Sequence, residues 1–351
     1  MDWTAPFTAT FRAAYVDRSS GRETGTVAGL LKGGTVSRNQ DTDSKESATV
    51  TVAGSFSPGA RLVRLYADVT QGAELSTVCL GTFVPTVTGD SYDGAATTWQ
   101  VDLDGRLSEL AADAFDGPVT YPAGTPAVQA AREICEAAGF EVVAEASTYT
   151  LSANRTYGLD EGDTKLSTVN DLLDLAGFAS ARCDVYGRVV MASYVAPASR
   201  AVKATMHEGG GCRFERAASR KRDESEVANV VRCVYETQDA TVVGLAVDSS
   251  PTSPHSTVAR GRRIVSTYRY TDETTQAAAD AKAAELLAGM RTVVTTVEIV
   301  HAYRPLALGD VVALDYPSAG YGGRFAIRTQ EIAMTDAMPV TVELRSFAGG
   351  D

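Results

Sequence analysis

At 351 residues with 44% apolar side chains, the chain is long enough for two or more compact units and too apolar for intrinsic disorder. Forty-four acidic against 32 basic residues leave a net charge of −12, which argues against a sequence-independent grip on DNA, because such binding neutralises phosphates with clustered Lys and Arg. No apolar run approaches the roughly 20 residues that cross a bilayer, and MDWTAPFTATFR lacks the basic-then-apolar order of a signal peptide, so a chain with no membrane anchor, soluble when made, is expected.

Residues 1–104 alternate polar and apolar side chains in Thr- and Val-rich runs: FTATFRAAYV, TGTVAGLL, ESATVTVAG, RLVRLYADV and STVCLGTFVPTVTG. Turn residues divide them at the short intervals of an all-β barrel or sandwich, which predicts an N-terminal β domain. Residues 105–204 read as an α/β domain. Thr125 is placed to cap a helix with Pro126 at its first position, and Val128, Ala131, Cys135 and Ala138 share one face before Gly139 stops the helix ahead of Phe140. A second helix repeats the plan with Leu166, Val169, Leu172, Leu173 and Ala176, then Gly177 and Phe178. Asp184-Val185-Tyr186-Gly187 reads as a hairpin turn.

A charged link, RFERAASRKRDESEVA, leads to strand signals at NVVRCVYE and TVVGLAV. The Ser- and Pro-rich loop 248–263 follows, then the strand IVSTYRY and a long helix with Asp272 as N-cap and Gly289 at its end. Residues 292–348 are β again. The fold class is therefore α+β, mostly β. A second β domain is assigned to 205–255 and 292–351, and 256–291 is expected to return to the α/β domain.

Chemistry is sparse. His207-Glu208 lacks the second His of a zinc-protease helix, and His255 and His301 have no partner at ligand spacing, so surface or core roles are the simpler reading. Asp102, Asp104 and Glu109 have the wrong spacing for a calcium loop, and Asp102–Gly105 reads as a solvated turn. Gly320–Gly323 reads as a hairpin turn, and no nucleophile elbow, phosphate loop or dinucleotide fingerprint occurs. Arg213, Arg216, Arg220, Lys221 and Arg222 are followed by Asp223, Glu224 and Glu226, with Phe214 as the only aromatic, and read as a solvated or interface loop. Arg260, Arg262 and Arg263 read the same way. The alanine face of 275–288 serves as a seam to its own domain more readily than to a partner helix. Cys79, Cys135, Cys183, Cys212 and Cys233 are odd in number and widely spaced, which predicts free, mostly buried thiols and assembly in a reducing cytoplasm. No catalytic, cofactor-binding or metal-binding residue is assigned, and no cofactor is expected.

Four stretches carry a likeness: CLGTFVPTVTG with WQVDLDGRLSEL; the two-helix region from Tyr121 through Tyr194, Pro197 and Arg200; SEVANVVRCVYE, which passes through Asn229; and the C-terminal succession IVSTYRYTDETTQAAADAKAAELLAG, YRPLALGDVVALDYP and GGRFAIRTQEIAM. In that order they resemble the tail-hub, or baseplate-hub, proteins of tailed bacteriophages and prophages, including the N-terminal hub part of tail-associated lysins. The resemblance implies two small tube-type barrels per subunit with an α/β insertion, and a homotrimeric ring whose six barrels imitate a six-fold tube. It implies a structural, non-enzymatic virion protein of the tail tip, assembled in the host cytoplasm and joining the distal tail ring to a three-fold spike, fibre or other baseplate protein. The tape-measure C-terminus and DNA would meet it only in transit. A faint internal repeat is read in the Leu-Gly pairs of CLGTFVPTV and LALGDVVAL. The rivals are a tail-associated wall-degrading enzyme, for which a chain ending at Asp351 would leave no room, and a receptor-binding tail protein, against which stand few aromatics and the separation of Trp3 from Trp99.

Overall fold

The computed structural model describes residues 1–160, 162–209, 214–223, 227–236, 240–270, 274–290 and 294–347. Seven strands open the chain: β1 (Thr8–Val16), β2 (Glu23–Val27), β3 (Thr35–Asn39), β4 (Glu46–Ala53), β5 (Leu62–Gln71), β6 (Glu74–Tyr92) and β7 (Thr97–Gly105). Their period-two pattern sets the core side: in β4, Ala48, Val50 and Val52 are buried while Ser47, Thr49 and Thr51 point outward. β6 pairs with β5 along its first half and with β7 along its second, with an extra residue at Leu80, since Leu65 faces Gly81 and Tyr66 faces Cys79. A Cβ at Gly81 would lie 2.5 Å from the Phe83 ring, so glycine lets that ring fold over the strand.

The next unit contains α1 (Leu107–Ala111), β8 (Val119–Tyr121), α2 (Ala127–Ala137), β9 (Val142–Ala144), β10 (Arg155–Tyr157), α3 (Lys165–Leu175), β11 (Arg182–Cys183) and β12 (Val189–Met191). Helices α2 and α3 bury the expected stripes against each other, with Val128, Ala131 and Cys135 on one and Leu166, Val169, Leu172 and Leu173 on the other. Gly139 and Gly177 have φ of +85° and +73°, and the amides of Phe140 and Phe178 reach back to Cys135 O and Leu173 O. These are the left-handed stops read from sequence, and both phenyl rings are buried below them. The expected cap of α2 is displaced: Pro126 itself is the N-cap residue, and no side chain caps the helix. In α3, Thr164 accepts a hydrogen bond from Ser167 N at 3.1 Å.

The rest of the chain supplies β13 (Val202–His207), β14 (Phe214–Asp223), β15 (Val230–Glu236), β16 (Thr241–Val247), α4 (Thr257–Arg260), β17 (Val265–Tyr270), α5 (Gln276–Met290), β18 (Val294–Ala302), β19 (Val311–Tyr316), β20 (Tyr321–Ala333) and β21 (Pro339–Ser346). The described elements of 256–291 do not join the sheets of the 105–204 unit as expected, because β17 pairs with β15 instead. β17 pairs parallel to β15, β16 pairs antiparallel on the other side, and α5 covers this three-stranded sheet with Ala279, Ala283 and Leu287. The alanine face is thus the seam to the helix's own sheet, where small side chains permit close approach. Asp272 lies outside the described residues. The helix starts at Gln276, and Thr275 Oγ1 accepts from Ala278 N at 3.2 Å. Gly289 is the last residue but one of α5, which ends at Met290.

Two separate barrels are not what the β segments build. Thirteen strands join one open sheet, ordered β14-β18-β21-β20-β3-β4-β7-β6-β5-β1-β2, with β19 also on β20 and β13 on β19. The 13-residue β20 makes this join: β21 lies along one edge, while β19 and then β3 share the other. Val36, Val50 and Leu65 from the first half share a core with Ile332, Val340 and Val342 from the second. The faint repeat is not mirrored either, because Leu80-Gly81 lies at the β6 bulge whereas Leu308-Gly309 lies in the turn before β19.

Candidate assembly site

The residues singled out for chemistry are dispersed. His207 is exposed, with Nδ1 2.6 Å from Asp315 Oδ2, and its neighbour Glu208 accepts from Ser318. His255 accepts from Arg260 at 2.7 Å, and His301 is buried against its neighbour's carbonyl. Asp102–Gly105 is strand rather than turn, because it pairs with both β4 and β6, and Glu109 pairs instead with Arg18 and Arg106. Gly320 makes the left-handed turn, but Tyr321–Gly323 already belong to β20. Arg216, Arg220, Lys221 and Arg222 lie on β14, an edge strand paired with β18 rather than a loop; Arg213, Glu224 and Glu226 lie outside the described residues. Trp3 packs edge-on against Phe7 and Tyr303, while the indole of Trp99 donates to Gly54 O. Among the described residues no group of three His, Cys, Asp or Glu could hold a metal ion, and no helix is long and apolar enough to cross a membrane.

The described cysteines are free thiols, with Cys135, Cys183 and Cys233 buried and Cys79 half-buried; Cys212 lies outside the described residues. Burial pushes the thiols up, Cys79 to about 11 and Cys135 to about 12, and raises Cys183 and Cys233 as well. Thiol labelling at pH 8 is therefore expected to be slow in the native protein, with Cys79 first, and fast in denaturant. Immediate native labelling of the buried three would contradict this packing.

What the fold does assemble is a polar corner where the 182–188 hairpin docks on the large sheet. Thr82 Oγ1 donates to Val185 O at 2.9 Å and accepts from Arg64 Nε at 2.8 Å. Arg64 also donates to Tyr186 O, Arg106 donates to Gly187 O at 3.1 Å, and the Cys79 thiol meets Val185 O. The Arg106 guanidinium lies 4.1 Å from the Phe140 ring centroid, which ties the helix stop to the same corner. Gly187, at φ +81°, has no room for a side chain, since a Cβ would lie 2.7 Å from Arg106 Cδ. Arg200 makes a second tie: it donates to Gly309 O at 2.6 Å, and its own carbonyl accepts from Arg324. The turn and Arg200 were legible in sequence, but Arg64, Thr82 and Arg106 were not. The available signal was an arginine inside LVRLYA, a run buried on both faces of β5.

Glu46 is mostly buried beside this corner, its side chain 11% exposed and 3.9 Å from Arg38 Nε, with Asp184 and Arg182 of the hairpin also acting on it. Burial raises its carboxyl to about 7, and Asp184 adds to the rise while Arg38 opposes it. A raised folded-state value means that proton binding stabilises the fold below the unfolded value of 4.5, and that this contribution is lost as pH rises through about 7. The difference corresponds to about 3 kcal/mol, at roughly 1.4 kcal/mol per unit. Buried His301 has the opposite sign: its lowered value costs stability as pH falls through 6.5. Comparison with Glu46→Gln isolates the carboxylate. The wild-type midpoint should fall relative to the variant's between pH 4.5 and 7, and parallel pH profiles would refute the assignment.

No protein-family model and no curated protein matches the sequence. Solved structures do match along nearly the whole chain. A tail protein from Neisseria meningitidis MC58 superposes with a TM-score of 0.67 at 13% identity, over 97% of both chains. The 43 kDa tail protein of prophage MuSo2 from Shewanella oneidensis gives 0.64 at 14%, over 97% of this chain and 98% of that one. Prophage tail protein gp18 from Listeria monocytogenes EGD-e gives 0.56 at 14%, over 95% and 94%. At these identities the comparison establishes a shared fold.

Proposed function

We propose, from the fold shared with phage and prophage tail proteins, that this chain is the structural hub of a tail tip. The observation that carries the reading is the superposition on the Neisseria tail protein over 97% of both chains, which leaves no large part of either without a counterpart. In this reading both halves of the 13-stranded sheet contribute to one ring, and three subunits close head to tail so that it presents a six-fold face. That face meets the distal tail ring, and the three-fold face holds a spike, fibre or other baseplate protein. The ring lines or closes the channel through which the tape-measure C-terminus and DNA pass. The net charge of −12 per subunit suits that passage, because like charge discourages phosphate from binding the wall.

The role is mechanical rather than enzymatic, with assembly in the host cytoplasm and a final location in the virion. Cryo-electron microscopy of particles carrying a tagged chain tests the reading. Three copies at the tail tip are expected; absence from the particle, or six copies in a ring, would overturn it.

A further inference from the structure

We infer that the outer face of the β16-β15-β17 sheet docks a second copy of this chain, which covers it with an acidic part of its surface. The inference rests on the ring-forming reading above and deepens it by naming one of the two surfaces that meet. Helix α5 packs on the side of this sheet that carries Val231 and Cys233. On the other side Val243, Leu245 and Val247 of β16 and Val265 of β17 are 41–50% exposed; Val247 and Val265 flank Val230, which is itself buried, and Leu245 lies beside the exposed Arg232. Four of the fourteen exposed large hydrophobic side chains among the described residues lie on this face, so the exposure is grouped rather than scattered.

The partner meets the face rather than the β16 edge. Gln276 donates to Val243 O at 2.9 Å and Asp280 accepts from Leu245 N at 3.0 Å, so α5 already occupies outward backbone groups of β16. Charge then selects the partner. Arg232 lies between the aliphatic positions, Arg263 stands two residues before Val265, and Arg269 holds Glu236 in an exposed pair at 3.3 Å. Pairing this face with itself would bring arginines together, so an isologous contact is disfavoured and a head-to-tail one is selected. A chain of net charge −12 offers acidic surfaces for that purpose. One is the tip of the β6–β7 hairpin, where Asp90 and Asp93 are exposed beside Tyr92, itself 68% exposed.

Native mass spectrometry and sedimentation of the full-length chain, across concentration and ionic strength, test the inference. Wild type is expected to trimerise. Leu245→Asp and Arg232→Glu should each weaken assembly by about tenfold or more, with circular dichroism and melting temperature unchanged, while Leu75→Asp on β6 should assemble as wild type. Trimers that survive both face substitutions would overturn the docking surface even if the chain is found in tail tips. A wild-type chain that stays monomeric at every concentration would overturn the second-copy partner. The hub reading itself is decided separately, by the presence or absence of the chain in the particle.

Discussion

Replacing Gly244 with alanine is expected to strip α5 from its sheet and release the 230–290 unit from the cooperative fold. A Cβ at this position would lie 2.1 Å from Ala279 O, 2.2 Å from Ala279 C and 2.8 Å from Asp280 N, all backbone atoms of the helix. No rotamer change relieves such a contact, so the helix must move outward. Moving it uncovers Ala279, Ala283 and Leu287 and pulls Gln276 and Asp280 away from the β16 backbone. Overpacking of this kind costs about 3 kcal/mol or more, and valine should cost more still. Denaturant titration should show an early transition, and limited proteolysis should cut within 230–290 first. Gly25→Ala, at a position with open space around its Cβ, should melt like the parent. A Gly244→Ala protein with the parent's midpoint and protease resistance would show that the helix does not sit where the structure places it.

The second large effect is expected at Asn229. Its side chain is fully buried and uses all the hydrogen bonds available to it here: Nδ2 donates to His255 O at 3.2 Å and to Arg262 O at 3.0 Å, and Oδ1 accepts from Ile264 N at 2.7 Å. These three bonds close the loop 248–263 on itself, and Asp248 N returns to Asn229 O at the loop's entry. Asn229→Ala leaves two carbonyls and one amide without their partner in a part-buried site. At about 1–3 kcal/mol for each orphaned group, partly offset by water entering the loosened loop, a loss of about 3–5 kcal/mol is expected. Asn229→Asp should be no better, because it turns a carboxylate toward two carbonyl oxygens. Hydrogen exchange should show residues 249–264 opening in the variant while β4 and β5 stay protected. Unchanged exchange in the loop would refute the role assigned to this side chain.

Local chemistry was legible and distant pairing was not. Gly139 and Gly177 could be read as helix stops because a left-handed residue after an apolar stripe is a matter of a few consecutive positions. The stripes of α2 and α3 were read correctly for the same reason, whereas the Thr125 cap failed by one residue because Pro126 took the capping position. β3 and β13 were passed over, being five and six residues long and largely polar on one side. The joining of two expected barrels into one sheet depends on β3 meeting β20, a pairing that no local pattern encodes. Segment 256–291 was sent to the wrong unit because strand and helix signals say what an element is, not which sheet receives it. At the docking corner the turn 184–187 announced itself by its residues, but its receptors Arg64, Thr82 and Arg106 are spread over β5, β6 and the start of α1. Asn229 entered the sequence reading through resemblance alone, and its three hydrogen bonds explain why an asparagine stands there.

The seam between β3 and β20 also sets the order in which the protein can be completed as it is made. Arg38 and Gln330, which meet across it, are 292 residues apart. At about 5–20 residues per second, the first half of the sheet waits on the order of 15–60 s after β3 has emerged before its neighbour leaves the ribosome. Through that interval β3 is an unpaired edge on an otherwise formable sheet. Its shortness and its polar residues Ser37, Arg38 and Asn39 are the features that discourage an unfinished edge from recruiting another nascent chain.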